Sequence, residues 1–142
     1  MLGKRGLIMG VANDHSIAWG IARNLNYHGA KLAFTYQDEV FEKRVRALAV
    51  EAGGELIIPC DVEKSDSQKN VFEILKNEWG TIDFVVHSLA YSDKHELSGR
   101  YLDTSANNFI RTMHISCFSF TEMANFAYPL MADNGGSLIT LT

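Results

Sequence analysis

The stretch Gly10 to Ala22 reads GVANDHSIAWGIA and follows the apolar run LIM. A glycine at the end of an apolar run, with a serine where a helical pattern begins, is a residue set that can receive a phosphate. Pyrophosphate binding needs close backbone approach, free amide N–H groups and a helix N-terminus. Gly10 supplies the approach. Residues 11–15 form a longer turn than that of the common G-x-G-x-x-G loop. Ser16 stands where a helix N-cap belongs, so its hydroxyl and amide can face a phosphate. Gly20, with the small Ala18 and Ala22, is expected to let the helix lie close to a sheet. The same residues read equally well as a plain strand–turn–helix with a capping serine.

Further candidates stand where other apolar runs end. Gln37 closes KLAFTY, a position where an acidic residue often accepts bonds from the adenosine ribose; glutamine can bond those hydroxyls too. No Lys or Arg adjoins it, and Asp38 and Glu39 follow, which would repel a 2′-phosphate and favour NAD(H) over NADP(H). Asp61-Val62 closes ELIIPCDV, where a carboxylate can take the adenine amino group and an apolar neighbour can cover the ring; an Asp is equally common in any strand–helix turn. Cys60 reads as buried filler rather than a nucleophile. His87-Ser88-Leu89-Ala90 closes the next run, with residues small enough for a ribose or nicotinamide to cross the backbone. His87 itself reads as a satisfied structural histidine, and His114 and Ser116 as helix-packing residues.

Positioning these groups requires strand ends on one side of a sheet. Strands are predicted at 6–12, 31–36, 55–62, 82–91 and 135–142. Helices are predicted at 16–28, 38–52, from a Ser65 or Asp66 cap to about Trp79, and from 106 to 131. Ile17, Ile21 and Leu25 recur on one helical face; Phe41, Val45, Leu48 and Ala52 do so on the next; Val71, Phe72, Leu75 and Trp79 on the third. Strand–helix alternation implies an α/β doubly wound parallel sheet, with ligands at the carboxyl ends of the strands beside the switch point. Phe109, Phe118, Phe120, Phe126 and Tyr128 on the last helix are expected in the core or a subunit interface.

Composition narrows the function classes. A net charge of −4 over 142 residues argues against a nucleic-acid partner. No run reaches the length of a membrane span, and the N-terminal apolar stretch is too short for a signal peptide. Cys60 and Cys117 belong to no CxxC or CxxH pair, so no metal site is expected and a reduced, cytoplasmic setting is.

GVANDHSIAWGIA, LAFTYQ, CDV, FVVHSLAY and SLITLT, in this order and spacing, resemble the bacterial NADH-dependent enoyl-acyl carrier protein reductases. These form a divergent branch of the short-chain dehydrogenase/reductase superfamily, with a Rossmann fold. The resemblance implies that Gly10, Ser16 and Ile17 hold the pyrophosphate region, Gln37 the adenosine ribose, and Asp61 and Val62 the adenine. It places Ser88, Leu89 and Ala90 beside the nicotinamide ribose. Tyr91 and Ser92 would begin the acyl-substrate pocket, with the loop Asp93–Asp103 at its mouth; Lys94 and Arg100 in that loop are candidates to meet an acidic carrier, and read as well as ordinary exposed charges. It implies reduction of trans-2-enoyl thioesters in fatty-acid elongation, and a cytoplasmic homotetramer. The family's Tyr-x6-Lys pair follows the fifth strand, so residues 1–142 are expected to be an incomplete domain without catalytic residues or turnover of their own. Its uncovered fifth strand would leave an edge prone to association. Two alternatives stand beside this reading: a non-catalytic dinucleotide-binding fragment, and a ketone or alcohol dehydrogenase of the same superfamily.

Overall fold

The structure, a computed structural model, describes residues 1–131, 133 and 135–141. Strands β1 (Arg5–Met9), β2 (Lys31–Tyr36), β3 (Gly54–Pro59), β4 (Phe84–His87) and β5 (Ser137–Thr140) form one parallel sheet in the order β3-β2-β1-β4-β5. Helices α1 (Ile17–Tyr27), α2 (Glu39–Glu51) and α3 (Ser65–Trp79) link the first four strands. Two short 3-10 turns, Lys94–Glu96 and Tyr101–Asp103, then lead into α4 (Ala106–Met113) and α5 (Ser119–Met131). The expected doubly wound α/β fold is present. The expected end of the fifth strand, Thr142, lies outside the described residues.

Alternate residues of each central strand enter opposite cores. Leu7, Met9 and Val85 join Val71, Leu75, Met123 and Ala127 from α3 and α5. Ile8 and Val86 join Ala18, Ala22 and Val45 from α1 and α2, with Leu32 and Phe34. A strand buried on both faces needs an unbroken apolar run, which explains LIM and FVV.

The regular ladders are shorter than the apolar runs. β1 stops at Met9 because Gly10 turns the chain with φ +95°. β3 stops at Pro59, which has no N–H to continue the ladder and which sits tolerably on an edge strand.

Three expectations about the helices are corrected. Ile17 is 66 % exposed, at the first turn; the buried face of α1 is Ala18, Trp19 and Ala22, flanked by half-buried Ile21 and Leu25. Gly20 is exposed, with open space where a Cβ would stand, so it does not bring the helix to the sheet. Lys64, not Ser65 or Asp66, occupies the N-cap of α3, because the backbone turns one residue earlier.

The predicted helix over 106–131 is interrupted by a π turn at His114–Phe118. Ser119 is fully buried, and its hydroxyl donates to the Ile115 carbonyl at 2.6 Å, a side-chain bond that competes with the α-helical one. The turn sorts the aromatics: Phe120 and Phe126 pack on the core, while Phe109, Phe118 and Tyr128 face outward.

His87 ties three elements together from the end of β4. Ser119 Oγ gives its proton to Ile115, so it accepts from His87 Nε2–H at 2.7 Å. That assignment leaves Nδ1 to accept from Thr140 Oγ1 of β5 at 3.3 Å. Burial holds the imidazole below its ordinary value of 6.5. The unfolded chain therefore takes up this proton first. Its contribution to stability is complete above 6.5 and is lost as pH falls through that value toward the folded-state one. Urea unfolding between about pH 8 and pH 5 is expected to show stability falling across this window, with a flatter profile in His87→Gln.

Candidate functional site

The chain winds outward from β1 to β2 and β3, then returns to place β4 on the other side of β1. Connections leave in opposite directions there, and a crevice opens above the strand ends. Gly10 lies in it. A Cβ at this position would stand 1.8 Å from the Ser88 carbonyl oxygen, and the Ser88 N–H donates to Met9 O at 3.2 Å. The glycine is thus demanded first by the close approach of the two strand ends, as well as by its φ of +95°.

The loop after Gly10 is organised by Ser16 in a way the sequence did not suggest. Its hydroxyl makes no cap bond to α1; it accepts from the Ala12 and Asn13 amides, both at 3.0 Å. Asn13 Oδ1 accepts from the His15 amide, closing the turn. Trp19 and Gly20 N–H both turn to the Ser16 carbonyl. The amides of Ile17 and Ala18 belong to the first turn of α1, whose N–H groups have no intrahelical acceptor.

A cavity of about 250 Å³ occupies the crevice. Gly10, Gln37, Asp61, Val62, Ser88, Leu89, Ala90 and Tyr91 all line it. Ser16 and Ile17 do not; they border a shallow cleft on the outer side of α1. Ser92 is also outside the lining, and its hydroxyl accepts from Asn108 Nδ2 at 3.1 Å and Thr112 Oγ1 at 3.2 Å. Asn108 accepts from the Asp93 amide as well, and Glu96 accepts from Ser105, so the polar loop is stitched to the start of α4.

Asp61 is half-buried. Burial pushes its carboxyl up, but the bond from Lys64 Nζ at 2.9 Å and that from the Glu63 amide outweigh it, so the group sits below its ordinary value. It is a fixed anion in the cavity wall, suited to an amino-group donor. Cys60 beside it is pushed up to about 12, mainly by burial, which makes the thiol inert. Gln37 is exposed at the rim, and Asp38 caps α2 by accepting from the Val40 and Phe41 amides.

The far wall was not legible in the sequence. Ile115, inside the π turn, reaches the cavity, and the neighbouring Ser116 hydroxyl accepts from the Tyr91 amide at 3.0 Å. Arg111 of α4 forms a two-pronged pair with Glu63, Nε to Oε1 and Nη2 to Oε2, both at 2.8 Å. Its Nη1 donates to Tyr91 Oη at 3.0 Å, and its guanidinium carbon lies 4.5 Å from the centre of the Tyr91 ring. The hydrogen bonds from Arg111 hold the Glu63 carboxyl below its ordinary value, and Glu63 holds the guanidinium above its own. Glu63 and Arg111 are 48 positions apart, a separation that no local pattern reveals.

Residues 10–142 match the family model described as enoyl-(acyl carrier protein) reductase. The chain belongs to the enoyl-(acyl carrier protein) reductase family. It is 58% identical over its whole length to enoyl-acyl-carrier-protein reductase (NADH) 2 of Rhizobium meliloti, covering 53% of that protein. Among solved structures, the reductase of Anaplasma phagocytophilum in complex with NAD is 56% identical, with a TM-score of 0.96; all of this chain and 54% of that one are covered. The Bacillus cereus reductase with NADP+ and indole naphthyridinone is 45% identical, with a TM-score of 0.95 and coverage of 99% and 55%. The chain spans about half the length of the curated relatives it matches.

In this reductase-family chain, Gly10→Ala is expected to cost about 3 kcal/mol or more, through both the positive φ and the Ser88 clash. Equilibrium urea unfolding without ligand measures it. A change below about 0.5 kcal/mol would show that the strand ends can part without penalty.

Proposed function

We propose that residues 1–142 are the first five strands of a longer Rossmann-type reductase domain and hold most of its dinucleotide site. In this reading the whole protein reduces trans-2-enoyl thioesters carried on acyl carrier protein, with NADH, in fatty-acid biosynthesis. The observation that carries the reading is the cavity at the switch point, lined by eight of the eleven residues expected from sequence.

The residues fit a dinucleotide. Gly10 lets the ends of β1 and β4 meet at the cavity without a side chain in the way, and Ser16 and Ile17 at the start of α1 serve the pyrophosphate region. Gln37 serves the adenosine ribose at the rim. Asp61, held as an anion, takes the adenine amino group, and Val62 contributes apolar surface. Ser88, Leu89 and Ala90 border the nicotinamide ribose, and Tyr91 leads toward the acyl pocket. Ser92 shapes that pocket through the Asn108 network. NADH supplies the hydride when bound. The donor groups that stabilise the developing enolate, a tyrosine and a lysine, belong to the segment after the fifth strand.

NADH rather than NADPH follows from charge. Gln37 is trailed by Asp38 and Glu39, and no Lys or Arg adjoins it. A 2′-phosphate there would meet like charge. The protein is read as a cytoplasmic homotetramer with no nucleic-acid or membrane partner.

Absorbance at 340 nm is the direct test. The full-length protein is expected to oxidise NADH with a crotonyl thioester, and to favour NADH over NADPH by roughly ten-fold or more in kcat/KM. Activity confined to ketones or alcohols would sink the enoyl assignment, and a preference for NADPH would overturn the Gln37 reading. A polypeptide of residues 1–142 alone is expected to show no turnover, since it lacks those donor groups.

A further inference from the structure

The loop that carries Asp61 and Val62 is bonded mostly to its own neighbourhood. The Asp61 amide donates to Ser67 Oγ at 2.9 Å, its carboxylate accepts from Glu63 and Lys64, and the Val62 carbonyl accepts from Gln68 Nε2. The polar tie across the cavity mouth runs from Glu63 to Arg111 on α4. We propose that Arg111 is a positioning residue for the adenosine half of the dinucleotide, clamping the Asp61–Glu63 loop to α4 and to the ring of Tyr91. The inference rests on the dinucleotide reading of the cavity.

The geometry carries it. Exposed ion pairs generally contribute little, because two long side chains lose freedom and water screens the charges. Here one planar group is fixed by four contacts: two bonds to Glu63, one to the Tyr91 hydroxyl, and the ring face. All three guanidinium nitrogens are used, which a lysine cannot reproduce. Glu63, Tyr91 and Arg111 all line the cavity, so the clamp is part of its wall. Glu63 is also adjacent to Val62 and two residues from Asp61. Without Arg111, Glu63 would lose its paired cation, and Lys64 on Asp61 would remain beside two carboxylates in the cavity wall. A loop pre-set in its binding geometry loses less freedom on binding, so affinity is the quantity the clamp sets.

The test is a fluorescence titration of NADH into the full-length protein and its variants. Arg111→Met and Glu63→Gln are each expected to raise the Kd for NADH by roughly ten-fold. The double variant is expected to be no weaker than the worse single one, because both substitutions open the same clamp. Added salt should weaken NADH binding to the parent more than to the double variant. Arg111→Lys, which keeps the charge and guards against a folding failure, is expected to fall between parent and Arg111→Met. Additive losses, or a Kd unchanged in every variant, would overturn the clamp. A parent protein that binds no NADH would fail the dinucleotide reading itself, and the clamp with it; a parent that binds while the variants match it fails the clamp alone.

Discussion

The contact between the ends of β1 and β4 governs the rest of the molecule. At Gly10 the backbone comes so close to the Ser88 carbonyl that no side chain fits between them. That closeness lets the two central strands stay paired up to the point where their loops part. The loops then leave in opposite directions, and the crevice they open is the cavity. One missing methyl group therefore sets both the tightness of the sheet and the existence of the site above it.

The polar chemistry around this point divides between holding the fold and shaping the cavity. His87 lies below it, neutral and fully buried, joined to Ser119 and Thr140. The Ser119 hydroxyl that receives the His87 proton donor also reaches the Ile115 carbonyl, inside the π turn. The turn brings Ile115 to the cavity and Ser116 to the Tyr91 backbone. A buried histidine, a helix irregularity and a cavity wall are thus linked by a short chain of hydrogen bonds. Their linkage explains why a helix that looks continuous in sequence is interrupted in the structure.

Charge in the cavity is arranged rather than free. Asp61 is held ionised by Lys64 and the Glu63 amide, and Glu63 by Arg111. Such a wall offers one accessible acceptor at a defined place without presenting a cluster of unpaired anions. A ligand that donates from a planar amino group and avoids added negative charge near Gln37 fits this wall.

Element order, the doubly wound class and the strand-end residues were legible in the sequence, because each depends on patterns within one stretch of chain. A run such as FVV must be buried on both faces, and a glycine after an apolar run must turn. Gly10, Gln37, Asp61, Val62 and Ser88 to Tyr91 could be found for that reason: a parallel sheet sends all its strand ends to one side. The exposure of Ile17 and Gly20, the redirected Ser16 hydroxyl, the π turn and the Arg111–Glu63–Tyr91 contact were decided by tertiary structure alone. The Arg111–Glu63–Tyr91 contact joins groups 20 and 48 positions apart, and the π turn answers to a bond from His87 that spans 32, so neither has a period for a sequence to display. The Ser16 bonds are local, but which nearby amides a hydroxyl meets depends on the exact path of the loop.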